Sequence, residues 1–129
     1  MKLTGRKIFE GKISGEALVT KDSISFYGGV DPENGVVVEK GHELENQSIS
    51  GKVLVFPSGK GSTVGSYVIY QMAKTGKGPK ALILNDCETI VAVGAIISEL
   101  PCVDQIDVSK IETGMNLEVD GDTGTVEIK

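Results

Sequence analysis

Both ends of the chain consist of short segments in which apolar and polar residues alternate, the pattern of strands with one buried face. Gly, Asp and Asn residues separate these segments, and Gly28–Gly35, which contains an Asp-Pro and an Asn-Gly step, gives the strongest turn signal. The predicted strands are Lys7–Gly11, Glu16–Thr20, Ser23–Tyr27, Val36–Glu39, Met115–Val119 and Thr125–Ile128, of which the last two form a hairpin.

The middle of the chain has a different pattern. Lys52–Phe56 and Ala81–Leu84 are continuous apolar runs, typical of strands that are covered on both faces. Ser62–Thr75 carries apolar residues at helical spacing and ends at a glycine, and Glu88–Leu100 predicts a second helix that ends before a proline. Two strand–helix pairs in succession imply parallel strands and right-handed crossovers. We therefore predict a mixed α/β, barrel-like fold in which residues 1–129 form a single domain.

Composition and charge exclude several classes of function. The 129 residues carry 13 basic and 18 acidic side chains, a net charge of −5. A phosphate-backbone binder needs a basic surface, so we expect no nucleic-acid partner. No apolar run approaches the roughly 20 residues of a membrane-spanning helix, and no apolar segment follows the amino terminus as in a secretory leader. We expect a cytoplasmic protein that does not contact membranes.

The chain has few metal ligands. Cys87 and Cys102 are the only cysteines and His42 is the only histidine. A structural zinc site takes four ligands and an iron–sulfur cluster takes several thiolates, so we expect no metal on this chain alone. Free cysteines are mostly buried, and we expect both to be small core residues. His42 lies in a polar stretch, and we expect it on the solvated surface.

A glycine- and serine-rich segment, residues 58–66, joins a predicted buried strand to a predicted helix. The amino terminus of a helix presents backbone N–H groups and about half a positive charge, which suits an anion, and Lys60 adds a full charge. The segment matches neither nucleotide-binding motif. Glycine follows Gly59-Lys60 where a Walker A loop needs Ser or Thr, and the glycine spacing G-x-G-x-x-x-G differs from the dinucleotide fingerprint.

Ser62 has two interpretations at this point. Serine at a loop-to-helix junction commonly caps the helix, as Asp86 and Glu88 are expected to do for the second helix. A nucleophilic serine needs a histidine base, and the single His42 has no evident orienting partner. A serine oxygen can instead accept a proton if backbone N–H groups stabilise its negative charge, as in an oxyanion hole. One side chain can cap the helix in one state and react in another.

Three segments carry a family resemblance: Gly28-Gly29-Val30-Asp31-Pro32, the run from Pro57 to Tyr67, and Asn85-Asp86 followed by Val93-Gly94-Ala95-Ile96. Together they resemble the small subunits of the archaeal aconitase-X-type dehydratases, over nearly the whole chain. The resemblance implies the fold of the swivelling domain of aconitase, a β/β/α barrel. That fold agrees with the order of strands and helices predicted above.

The resemblance also implies a function. It implies a heteromer in which a large subunit carries a [4Fe-4S] cluster and in which this chain is inactive by itself. The implied reaction is the dehydration of (R)-5-phosphomevalonate to trans-anhydromevalonate 5-phosphate, in the archaeal mevalonate route to isoprenoids. By the same resemblance, Ser62 is the catalytic proton acceptor, which removes a proton from the carbon next to the carboxylate.

A substrate with a carboxylate and a phosphate needs several anion contacts. We expect them from the loop around Ser62 and from the double-glycine turn, which is otherwise an ordinary turn. The expected substrate-binding residues are Ser58, Gly59, Lys60, Gly61, Thr63, Gly28, Gly29 and Asp31. Tyr67 and Tyr70 are expected to be packing residues of the helix.

Three alternatives stay open on the sequence alone. The chain could belong to a related dehydratase that acts on another hydroxy acid, such as cis-3-hydroxyproline. It could be a non-catalytic module that binds a phosphorylated metabolite at the helix terminus. It could also be a phosphohistidine carrier through His42, although a carrier places its histidine in a glycine- and serine-rich loop, where this chain has Ser62.

Overall fold

The computed structural model describes residues 1–129, which form ten strands, three α-helices and one 3-10 helix at Val108–Lys110. The strands are β1 (Lys2–Thr4), β2 (Arg6–Phe9), β3 (Lys12–Val19), β4 (Val30–Asp31), β5 (Val36–Val37), β6 (Val53–Phe56), β7 (Ala81–Leu84), β8 (Cys102–Asp104), β9 (Asn116–Asp120) and β10 (Thr125–Ile128). The helices are α1 (Phe26–Gly29), which is a single distorted turn, α2 (Gly65–Thr75) and α3 (Thr89–Ile97). None of them is long and apolar enough to cross a membrane.

Eight strands form one mixed sheet in the order β1-β10-β9-β3-β6-β7-β8-β2. β3, β6, β7 and β8 are parallel neighbours, as the strand–helix alternation predicts, whereas the hairpin β9–β10 and the outer strands are antiparallel. Only Gly5 separates β1 from β2, although these strands lie at opposite ends of the sheet order. The sheet therefore curls into a barrel, and Gly5 closes it, because a side chain there would collide with the carbonyl oxygen of Asp104.

The parallel strands are buried on both faces. One core lies beneath α2 and α3 and includes Ile69 of α2. The strand residues that pack into it are Leu54, Phe56, Leu82 and Leu84. The alternate residues of the same strands point the other way, into a second core inside the barrel. A strand with apolar neighbours on both sides needs no polar alternation, which is why β6 and β7 are continuous apolar runs.

The predicted strand Ser23–Tyr27 is wrong. Ile24 and Phe26 are buried, as the alternation requires, but Ile24 makes only an isolated bridge to Gly59, and Phe26 begins the turn α1. A buried loop that runs beneath another segment gives the same alternation of apolar residues as a strand.

Several boundaries also differ from the sequence prediction, and β3 begins at Lys12, four residues before its predicted start at Glu16. Helix α2 begins at Gly65, three residues after the predicted start at Ser62, and α3 covers Thr89–Ile97 within the longer predicted segment. The strands β1, β4 and β8 were not predicted, because each is only two or three residues long. Such short segments carry too few residues to show a period.

Candidate functional site

The loop that joins β6 to α2 is held at the carboxyl end of the parallel strands. The backbone N–H of Ile24 donates to the carbonyl of Ser58 at 3.1 Å, and the N–H of Lys60 donates to the carbonyl of Ile24 at 2.9 Å. The hydroxyl oxygens of Ser23 and Ser58 lie 3.1 Å apart, within hydrogen-bond distance. The segment before α1 therefore fixes the first half of the loop through an isolated bridge and not as a strand of the sheet.

Two glycines let the loop pack this closely. A side chain at Gly59 would collide with Oε1 of Glu88 and with Val91 of α3. Gly61 has a φ of +96°, which side-chain-bearing residues rarely adopt, and a β-carbon there would lie 2.5 Å from the Ser25 hydroxyl oxygen. Gly59 and Gly61, which are expected from the sequence to bind the substrate, therefore shape the loop, and Gly61 directly precedes Ser62.

The Ser62 side chain is exposed, and its oxygen accepts a hydrogen bond from the backbone N–H of Val64 at 3.2 Å. The assigned N-cap position of α2 is Val64, and no side chain caps the helix there. Ser62 instead caps the turn that precedes the helix, because its carbonyl accepts the N–H of Gly65 and its side chain accepts the N–H of Val64. The local bond to Val64 is the short serine turn that such residues favour outside helices.

The backbone donors near Ser62 come from the loop, not from the first turn of the helix. The amides of Gly65, Ser66 and Tyr67 donate to the carbonyls of residues 62, 63 and 64. In contrast, the backbone amides of Gly61, Ser62 and Thr63 donate to no group of the protein. These three consecutive exposed amides are the local positive dipoles that an anion or a charged oxygen would meet.

Lys60 does not present a free charge. Its ammonium lies 3.0 Å from a carboxylate oxygen of Glu39, and both side chains are partly exposed. The other oxygen of Glu39 lies next to Gly29, where an added β-carbon would be 3.3 Å away. Glu39 thus connects the loop around Ser62 to the double-glycine turn. No local pattern in the sequence marks Glu39 as a site residue, because its two contacts come from distant segments.

The double-glycine turn lies on the same side of the molecule as α2. Gly28 and Asp31 line a groove of about 410 Å³ together with Val64 and Tyr67. Asp31 is partly engaged in its own loop, where its carboxylate accepts the N–H of Glu33 at 2.9 Å. Tyr67 is 68% exposed, so its prediction as a packing residue is wrong.

Comparison with known proteins gives a consistent result. The family model described as "Aconitase X swivel domain" matches residues 2–128. The chain belongs to the aconitase X swivel-domain family. It is 59% identical to the phosphomevalonate dehydratase small subunit of Thermococcus kodakarensis, over 99% of this chain and 96% of that one, and 53% identical to the protein of the same name from Methanocella arvoryzae, over 99% of each. Its structure matches the crystal structure of Thermococcus kodakaraensis aconitase X in the holo form with a TM-score of 0.99 and 58% identity, covering 100% of this chain and 98% of that one.

The family assignment confirms the fold that the sequence resemblance implied, a mixed α/β swivelling domain of the aconitase type. The relatives are archaeal and are named as small subunits, which agrees with the family named from the sequence.

His42 of this swivel domain is not the solvated surface residue that its polar neighbours predicted. The side chain is buried, and its Nδ1 accepts the N–H of Leu44 at 3.0 Å, while Nε2 lies 3.0 Å from the carbonyl oxygen of Ser23. Nδ1 is therefore unprotonated and Nε2 is the donor. Both ring nitrogens have protein partners, which leaves neither free to carry a phosphoryl group or to act as a base for Ser62.

The two cysteines are brought together although they are far apart in sequence. Cys102 is buried, as predicted, and Cys87 is half-buried, and their sulfur atoms lie 3.9 Å apart. The contact with the Cys87 thiol, together with burial, raises the pKa of Cys102 well above its usual value. No group of three or more His, Cys, Asp and Glu side chains in residues 1–129 is arranged to hold a metal ion.

An ion pair and a helix cap fix the segment that carries Cys87. Burial alone would raise the pKa of Asp104, but the paired hydrogen bonds from Arg6, at 2.7 and 2.9 Å, and the bond from the N–H of Cys87 outweigh it and leave that pKa below its usual value. Glu88 caps α3 by accepting the N–H groups of Ile90 and Val91, as predicted. Asp86 does not cap the helix, since its carboxylate instead accepts the side-chain amide of Gln105.

Proposed function

We propose that this swivel domain is the small subunit of a dehydratase that converts (R)-5-phosphomevalonate to trans-anhydromevalonate 5-phosphate and water. The names of the relatives support this substrate, because chains 48–59% identical over almost their full length are named phosphomevalonate dehydratase small subunits. In this proposal the protein works in the archaeal mevalonate pathway and requires a large subunit.

Ser62 is the proposed proton acceptor. The reaction breaks the C–H bond next to the carboxylate, and Ser62 takes the proton. The electron pair of that bond becomes the new double bond, while the hydroxyl on the neighbouring carbon leaves with the C–O electron pair and takes up a proton to become water. The observation that carries the role of Ser62 is that its exposed oxygen already accepts the N–H of Val64 and is flanked by the free amides of Gly61, Ser62 and Thr63. Fixed backbone dipoles stabilise negative charge on such an oxygen without reorganisation.

The substrate anions bind to the same loop in this proposal. The free amides between Gly61 and Thr63 and the ammonium of Lys60 are donors for a carboxylate or a phosphate. Lys60 must leave its ion pair with Glu39 to bind the substrate. The same ion pair keeps the site close to neutral while it is empty. Ser58, Gly59, Gly28 and Gly29 position the loop and the turn through the contacts described above, and Asp31 lines the adjoining groove.

The residues of this chain do not fit a [4Fe-4S] cluster, because two thiols and one fully engaged imidazole fall short of the three or four ligands that it requires. The proposal therefore places the cluster on the large subunit. The term "small subunit" in the names of the relatives supports the existence of such a partner.

Anaerobic turnover of 5-phosphomevalonate by the complex of both subunits tests the proposal. We expect the wild-type complex to form the dehydrated product and Ser62→Ala to lose turnover by at least about a hundredfold, as for removal of a general base. Exchange of the substrate proton next to the carboxylate in D₂O gives a second readout, which Ser62→Ala abolishes. Ser14→Ala is the matched control, because Ser14 is exposed on β3 and outside the site.

Two results would overturn parts of the proposal. If Ser62→Ala keeps normal turnover and exchange, Ser62 only accepts the Val64 bond. If the intact wild-type complex leaves 5-phosphomevalonate unchanged, the substrate assignment fails, and other hydroxy acids such as cis-3-hydroxyproline are tested on the same complex.

A further inference from the structure

Large apolar side chains are exposed on one side of the molecule. Apart from Met1 and Tyr70, the exposed large apolar residues are Tyr27, Val38, Val64, Tyr67, Val93, Ile96 and Ile97, which we call the apolar face. Single exposed apolar residues are ordinary on protein surfaces, but contiguous ones mark an interaction site.

The residues of the apolar face are contiguous. Tyr27, Val38, Val64 and Tyr67 line one groove of about 410 Å³. Val64 and Tyr67 also line a second groove, of about 290 Å³, together with Val93 of α3. Along α3, residues three and four apart lie on the same side, so Ile96 and Ile97 extend the surface from Val93. Val64 and Tyr67 stand at the centre because they belong to both grooves.

Close packing of α2 and α3 makes their outer sides one surface. Gly94 lies against Ile69 and Ser66 of α2, and an added β-carbon there would be 2.7 Å from Ile69. The 11 residues of α2 include one charged side chain, Lys74, and the nine residues of α3 include none. A helix that faces solvent normally carries charged residues on its outer side, and one without them is normally covered.

We propose that the apolar face is the docking surface for the large subunit, with Tyr67 at its centre. The relatives are named as small subunits, which identifies a large subunit as the partner. The position of Ser62 indicates which side of this chain the partner covers. Val64 is two residues from Ser62 and donates the hydrogen bond to its oxygen. A partner that contributes the remainder of an active site at Ser62 therefore covers Val64 and Tyr67 first. This inference rests on the proposed function for the identity of the partner.

The face has the anatomy of an interface core. Its centre is a tyrosine, a residue enriched among the side chains that contribute most to binding. Its edges are polar, with Lys74 in the last turn of α2 and the Glu39–Lys60 ion pair beside the Ser62 loop. An apolar centre surrounded by polar groups is typical of a specific association between proteins.

The test measures association rather than catalysis. The purified chain is titrated into the large subunit from the same source under anaerobic conditions, and the dissociation constant is measured by calorimetry. We expect Tyr67→Asp and Val93→Asp each to weaken binding by at least about tenfold, because each buries a charge in an apolar interface. Tyr67→Phe should bind within a few-fold of the wild type, since it keeps the apolar ring.

Two controls separate docking from other effects. Asn116→Asp introduces the same charge at an exposed position on β9, which lines the other core, and should leave binding unchanged. Far-UV circular dichroism and the melting temperature of each variant establish that it is folded. Ser62→Ala should bind as the wild type does, so that lost turnover in that variant cannot be mistaken for lost assembly.

Two outcomes would overturn the proposal. Folded Tyr67→Asp and Val93→Asp variants that bind the large subunit as tightly as the wild type would show that the large subunit docks on another surface. A wild-type chain that is a stable dimer by itself, and that Tyr67→Asp converts to monomers, would make a second copy the occupant. A complex that assembles through this face but does not dehydrate 5-phosphomevalonate would contradict only the proposed function.

Discussion

Replacing Gly61 with alanine tests whether backbone strain and close packing shape the loop beside Ser62. The substitution has two separate costs. At a φ of +96°, an alanine pays about 1–2 kcal/mol for left-handed backbone. The new β-carbon also lies 2.5 Å from the hydroxyl oxygen of Ser25 and 3.3 Å from its β-carbon, and such overpacking typically costs about 1–3 kcal/mol. We expect Gly61→Ala to lower the free energy of unfolding by about 2–5 kcal/mol.

Gly76→Ala is the matched control. Gly76 ends α2 with a φ of +74°, and a β-carbon there meets nothing within 4 Å, so only the backbone cost applies. We expect a loss of about 1–2 kcal/mol, and the difference between the two variants measures the contact with Ser25. Urea unfolding followed by far-UV circular dichroism gives both values.

A double-mutant cycle identifies the atom responsible. Ser25→Ala removes the hydroxyl, which otherwise donates to the carbonyl of Tyr27 at 3.0 Å, and leaves the 3.3 Å approach to the β-carbon. We expect Gly61→Ala to cost about 1 kcal/mol less in the Ser25→Ala background. A zero coupling energy, or a Gly61→Ala variant no less stable than Gly76→Ala, would refute the role of this contact.

Two further predictions concern the segment around Cys87. The pKa of Asp104 is lowered in the folded state. Its contribution to stability is therefore complete above the unfolded pKa near 3.8 and is lost as the pH falls through the folded pKa. Arg6→Gln should move the midpoint of acid unfolding to higher pH, and an unchanged midpoint by circular dichroism would contradict this. Oxidised glutathione should accept two electrons and two protons from the thiols of Cys87 and Cys102, whose sulfurs lie 3.9 Å apart, and become two molecules of reduced glutathione. The disulfide formed lowers the mass of the chain by about 2 Da, measured by mass spectrometry. Cys87→Ser is the control, and a wild-type chain that keeps both thiols would disprove the prediction.

The sequence predicted the parts of the fold that depend on neighbours along the chain. The continuous apolar runs of β6 and β7, the helical spacing in α2 and the hairpin β9–β10 are all periodic patterns within a few residues. The alternation of Ile24 and Phe26 failed for the same reason, because it reports which side chains are buried and not what the backbone pairs with.

The sequence predicted which segment carries the candidate site, but not the contacts that its residues make. The glycine- and serine-rich loop identified Ser62, and the structure shows its contact with Val64 and the free amides beside it. The expectation that the first amides of the helix are available to an anion is wrong, because the carbonyls of the preceding turn accept them. Capping geometry depends on backbone angles at individual residues, which residue types constrain only weakly.

The sequence by itself determined the central strand–helix–strand–helix unit, the carboxyl-terminal hairpin, the glycine-rich loop and the shortage of cysteines for a cluster. Only the tertiary structure decided that Gly5 closes the barrel, that Glu39 pairs with Lys60 and that His42 is buried with both nitrogens engaged. It also decided that exposed apolar residues of α2 and α3 line adjoining grooves together with Val64, two residues after Ser62. The physical reason is that side-chain periodicity encodes which way a residue points from its own strand or helix, whereas these contacts join segments that the chain brings together only when the whole barrel has closed.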